Sequence, residues 1–187
     1  MTAPGRSVLR GLGRLAFLRA DGLLEFANTP QAFLNSLAPL TAFALVAAGL
    51  GIAQGDVAEA VLEFLITVVA LLMPPVLSHF FAARWRRADV WPRYAAAFNW
   101  CHWLVLFAFA AIMLVGNAIM VGAGLRPAIA LLLAELAWAG YGLSLHWLLA
   151  RRGLGLARWQ ALVLLIVVEL GTGAAVIVPL LARRMLA

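Results

Sequence analysis

The sequence predicts an all-α polytopic membrane protein, a bundle of five transmembrane helices preceded by an interfacial amphipathic helix. Three observations carry this. Hydrophobic residues make up 65% of the 187 and charged residues only 12%, against roughly 45–50% and about 25% in soluble domains. Apolar runs recur at 33–53, 61–83, 95–117, 128–150 and 159–181, each long enough to cross about 30 Å of hydrocarbon at ~1.5 Å per residue. The segments between them, AQGDVAE, RWRRADVWPR, GAGLRP and RRGLGLAR, are polar or turn-rich. Residues 1–32 form the N-terminal interfacial segment and residues 33–187 the five-helix domain. No linker points to a second domain.

Within the first segment, RSVLRGLGRLAFLR spaces Arg6, Arg10 and Arg14 at i, i+4 and i+8, with Leu9, Leu12, Ala16 and Phe17 turned elsewhere. This is the pattern of a short helix lying in the membrane interface. Arg14 and Arg19 interrupt any apolar leader core, so the first span is expected to insert as an uncleaved anchor. Thr29 and Pro30 suit the N-cap and first position of the next helix. In the second span Pro74 and Pro75 remove two backbone donors, predicting a kink or hinge near Ser78 and His79. Small-xxx-small spacing in Ala44/Ala48, Ala47/Gly51 and Gly171/Ala175 predicts close helix approach, within the bundle or in a homodimer.

All 14 basic residues are arginine, and they give a net charge of +6. Beside membrane spans such clusters signal topology and anionic-lipid contact, not nucleic-acid binding. Alternating segments place eleven arginines (6, 10, 14, 19, 84, 86, 87, 93, 151, 152 and 158) on one side. The other side has three (126, 183 and 184), together with Asp56 and Glu59. The positive-inside rule then predicts a cytoplasmic N-terminus and an external C-terminus. Trp85, Trp91, Trp100, Trp103, Trp147 and Trp159 cluster near the same span ends, where amphipathic rings suit the headgroup boundary.

Polar residues inside the spans are expensive and therefore informative. Asn99 and His102 sit one turn apart in AAAFNWCHWLVLF and are expected to hydrogen-bond a neighbouring helix. Glu135 shares a helix face with Gly142 and His146, and Glu169 lies near the middle of the last span. Either these carboxylates bond across helices to Tyr141, Ser144, Thr172 or Asn99, or they form a proton or ion path with Asn117. His79, His102 and His146 all fall in the cytoplasmic leaflet, where two could ligate a haem or three a metal. The paired-histidine repeats of a dedicated haem bundle are missing, so neither cofactor nor metal is assigned. Cys101 is the single cysteine, which excludes an intrachain disulfide. No Walker loop, HExxH, catalytic Ser/His/Asp order or dinucleotide glycine motif occurs, which disfavours an enzyme.

The five-span pattern, Pro74 and Pro75, the basic loop, and Tyr94 followed by Phe98-Asn99-Trp100 together resemble bacterial Yip-type membrane proteins. So do Asp21, Gly22, Leu23, Phe26, Thr29, Pro30 and Phe33 before the first span, and the loop Arg152-Gly153-Leu154-Gly155. Eukaryotic Yip proteins of similar topology act in membrane traffic with Rab GTPases, a role that does not transfer to bacteria. The bacterial relatives mostly lack an assigned activity; the resemblance implies a bacterial inner-membrane protein and favours Asn99 as a structural residue. His102, where the family usually has Gln, and His146 beside Trp147 depart from it.

The leading expectation is a noncatalytic accessory or scaffolding component. It would bind membrane lipids and other membrane proteins through Arg6, Arg10, Arg14, Arg84, Arg86, Arg87, Arg151 and Arg152. The alternatives are a small transporter or proton-conducting module using Glu135 and Glu169, and a haem or quinone redox subunit using the histidines.

Overall fold

The computed structural model describes residues 7–55 and 57–186. Arg6 and Asp56 lie outside the described residues, as do the side chains of Asn117, Arg183 and Arg184. Helix α1 (Val8–Ala16) and a 3-10 turn (Ala20–Glu25) precede α2 (Pro30–Ala53) and α3 (Val57–Arg84). Next, α4 (Trp91–Ala111) runs through a π-helical turn (Ile112–Gly116) into α5 (Asn117–Gly122). Helix α6 (Pro127–Leu148) ends in a second π-helical turn (Leu149–Gly153), and α7 (Arg158–Leu186) closes the chain. Among the described residues there is no strand, and five helical runs are long and apolar enough to cross a membrane.

Helix α2 starts three residues before the predicted apolar run because its cap dictates the start. The Thr29 hydroxyl accepts from the Ala32 amide at 3.2 Å, and Pro30 fills the first helical position without wasting a donor. Pro74 and Pro75 are both buried within α3, which stays helical from Val57 to Arg84. One turn on, the Ser78 hydroxyl donates to the Pro75 carbonyl at 3.2 Å and accepts from Trp91 Nε1 at 3.1 Å. Those bonds tie the proline segment to the start of α4.

Packing is uneven around the bundle. Helix α3 lies broadly against α2 and α7, and α2 against α4, whereas α6 meets α4 and α7 over short stretches. Small residues make the broad seams. A β-carbon on Gly51 would lie 2.9 Å from the Ala60 β-carbon, and one on Gly171 would lie 2.7 Å from Leu77 Cδ1. These are the close approaches predicted by the small-residue spacing.

The buried core concentrates at the arginine-rich end, where the N-terminal segment folds back on the helix ends. There α1 and the 3-10 turn form a hairpin that places Leu12, Leu15, Leu23 and Phe26 against Tyr94, Leu145, Leu149 and Leu154. Its arms touch at two glycines: a β-carbon on Gly22 would lie 2.6 Å from the Gly11 carbonyl oxygen. Leu18, at φ 56°, makes the turn between them. The α1 helix is amphipathic as predicted, but Leu9 and Phe17 are 81% exposed and its buried stripe is Gly11, Leu12 and Leu15. At the tip, the Tyr141 hydroxyl of α6 donates to the Ala16 carbonyl at 3.2 Å. Asn28 fastens the segment after the hairpin, donating to the Asp89 carbonyl at 2.8 Å and accepting from the Arg93 amide at 3.1 Å.

Candidate functional site

Where α6 packs loosely, a cleft of about 390 Å³ opens between α4, α6 and α7 and reaches Pro74 of α3. Such a volume lies at the lower end of the ~300–1,000 Å³ range of small-molecule sites. Its walls are mostly apolar, with Phe98, Val105, Trp138, Leu143 and Val168 among them, and its polar groups are His102, His146, Glu169 and Thr172. No arginine lines it.

Three of the polar groups around it follow from helix register. Tyr94, one turn into α4, is fully buried and packs against Gly153, where a β-carbon would sit 3.3 Å from its ring. Its hydroxyl lies 3.4 Å from His146 Nε2, and His146 Nδ1 lies 2.9 Å from Glu169 Oε1. A neutral imidazole satisfies both contacts in one direction, accepting the phenol proton at Nε2 and donating Nδ1–H to the carboxylate. His146 is 3% exposed while the Glu169 side chain is 50% exposed, so the carboxylate is the open end of this chain and the phenol the sealed end. Phe98 braces the imidazole, with ring centroids 4.9 Å apart.

The remaining candidates distribute around this cluster. Asn99 donates across the α4–α2 seam to Ser36 Oγ at 3.0 Å, as expected of a residue that bonds a neighbouring helix. His102 does not. Its Nδ1 lies 3.4 Å from the Phe98 carbonyl of its own helix, and the ring edges onto Phe98 at 5.3 Å. Glu135 is exposed and does not line the cleft, so of the two carboxylates only Glu169 reaches it. Glu135 and His146 are eleven residues apart on α6, about 16 Å along the axis, so a shared face does not bring them to the same depth. Glu169 bonds His146, and Tyr141 is committed to Ala16. His79 is exposed and edges onto Trp91 at 4.7 Å, outside the cleft. Among the described residues no three His, Cys, Asp or Glu side chains gather as a metal would require.

At the arginine-rich end the cations divide into two kinds. Arg10 and Arg14 contact Glu25 at 3.7 Å each, and Arg14 and Arg19 contact Asp21 at 3.4 and 3.1 Å. They serve the hairpin as well as any outside partner. Arg151 donates to the Leu156 carbonyl and holds the α6–α7 connection. Arg84, Arg86, Arg87 and Arg152 are exposed.

The sequence named Tyr94 only for the resemblance, and His146 and Glu169 separately, without joining the three. A usable signal was present. Helices α6 and α7 are antiparallel about the loop 154–157, which brings residues 146 and 169 within about one turn of the same depth. In comparisons with known proteins, no family model, curated protein or solved structure matches the chain.

Proposed function

We propose that this chain is a noncatalytic accessory or scaffolding component of Yip type in the bacterial inner membrane. Its arginine-rich end faces the cytoplasm, where it binds anionic lipid and membrane-protein partners. The observation that carries this reading is the exposed set Arg84, Arg86, Arg87 and Arg152 at one end of a bundle of membrane-spanning length. The α3–α4 and α6–α7 connections bring these residues to that end, while the hairpin neutralises part of its own charge. A basic residue near an anionic membrane surface contributes about 1 kcal/mol. Replacing Arg84, Arg86 and Arg87 with Gln is therefore expected to weaken retention of anionic lipid on the solubilised protein by about a hundredfold. Native mass spectrometry of the co-purified lipids reads this directly. Unchanged lipid retention and unchanged co-purifying proteins would remove the rim from its role.

A second reading, a small transporter or proton-conducting module, is favoured by the chain of Glu169, His146 and Tyr94 beside a cleft in the span region. Glu169 alone carries it, since Glu135 lies outside the cleft. Proteoliposome flux that persists in Glu169→Gln would exclude this reading.

A further inference from the structure

The geometry points to the cleft between α4, α6 and α7 as a binding site for a protonated amine on an apolar body, its ammonium group seated at Glu169.

Each polar group offered to a ligand can accept a hydrogen bond. Glu169 gives Oε1 to His146, and among the described residues its Oε2 has no protein partner. Thr172 Oγ1 is buried without a partner among the described residues, three positions along the same helix and so a neighbour of Glu169 on one face. His102 donates Nδ1–H to the Phe98 carbonyl, which leaves Nε2 a lone-pair acceptor on a ring that lines the cleft. Three groups able to accept a hydrogen bond thus line one cleft with no amide, arginine or lysine among them, and of the three only the Thr172 hydroxyl can also donate. An ammonium group brings up to three donors and no acceptor, the complement of this set.

Charge agrees with hydrogen bonding. Among the described residues Glu169 is the one acidic side chain lining the cleft and no arginine or lysine joins it, so its carboxylate stands in mostly apolar surroundings, where a charge is costly without a cation beside it. Phe98 and Trp138 line the same cleft, and Trp138 is fixed by its Nε1–H donated to the Val105 carbonyl at 3.2 Å. Aromatic faces beside a carboxylate favour a desolvated organic cation over a hydrated metal ion. The apolar walls take the body of the ligand.

Two sources share this chemistry, an apolar amine and the headgroup of an amine-bearing lipid. Glu169 lies eleven residues into α7 from Arg158, about 16 Å along the axis. That is near the middle of about 30 Å of hydrocarbon, deep for a headgroup. The inference concerns binding and stands without any flux.

The test uses the full chain in phosphatidylcholine nanodiscs, with empty discs as the blank. The probes are 4-biphenylbutylamine and its neutral alcohol analogue, followed by calorimetry at neutral pH. The amine is expected to bind at least about tenfold tighter than the alcohol. Glu169→Gln should abolish that preference while leaving alcohol binding within about twofold, and Thr172→Val should reduce it in part. Glu135→Gln, outside the cleft, should leave it intact. Equal binding of the two probes to the unmutated protein overturns the proposal without reference to any variant, as does amine binding that survives Glu169→Gln. Adding phosphatidylethanolamine to the discs separates the sources. Displacement of the probe supports a lipid amine at the site, and retention supports a free amine.

Discussion

Asn99 of α4 and Ser36 of α2, 1% and 0% exposed, share one hydrogen bond of 3.0 Å, and the Ser36 hydroxyl in turn donates a hydrogen bond to the Phe33 carbonyl at 2.6 Å. The two ends of this bond are not equivalent. Ser36→Ala strands a buried amide and is expected to cost about 1–3 kcal/mol. Asn99→Ala leaves the serine still donating to Phe33, so less polar capacity is stranded. A double-mutant cycle by thermal unfolding in detergent should give a coupling of about 0.6 kcal/mol, the usual size for interhelical bonds in membranes. Coupling indistinguishable from zero would show that the bond does not fasten the seam.

The glycine seams differ in what a methyl group would meet. On Gly171 it meets the far end of Leu77, which can rotate away, but on Gly51 it meets the β-carbon of Ala60, which moves only with its backbone. Gly51→Ala is therefore expected to destabilise by about 1–3 kcal/mol and Gly171→Ala by clearly less. Comparing unfolding midpoints of the two variants checks the ranking, and the reverse order would contradict the packing of α2 on α3.

The five helices were legible because hydrocarbon length and loop polarity are written in composition, and Asn99 was legible because a lone amide in a span must find a partner. The partner itself, Ser36, was not, since it depends on how α2 and α4 rotate against each other. The same gap hid the Glu169–His146 bond. The sequence set Glu135 and Glu169 side by side as candidates, and only packing shows that α6 presents His146 to Glu169 of α7 while leaving Glu135 exposed. The hairpin was harder still. Arginine at every fourth position announced an amphipathic helix, but the fit of Gly11 on Gly22 is a tertiary fact.

Haem ligation makes a simple optical prediction. Both ring nitrogens of His146 are engaged, by Tyr94 and Glu169, and His79 lies outside the cleft that His102 lines. The purified protein is expected to show no Soret band, oxidised or dithionite-reduced. A band lost in His102→Ala would reinstate the redox reading.

Orientation is open to chemical labelling, because the native thiol of Cys101 is buried. Ala157 and Ala123 are exposed in connections at opposite ends of the bundle. With the proposed cytoplasmic N-terminus, Ala123→Cys should react with an impermeant maleimide in spheroplasts and Ala157→Cys only after permeabilisation. The opposite pattern would invert the topology.

The bond between Tyr141 and the Ala16 carbonyl spans 125 residues of sequence. At synthesis rates of roughly 5–20 residues per second, about 6–25 s separate the emergence of the two groups from the ribosome. Throughout that interval the hairpin tip lacks its brace and part of its apolar cover. Biogenesis thus has a built-in waiting period: the hairpin is made well before it can be locked, and the arrival of the fourth span ends the wait.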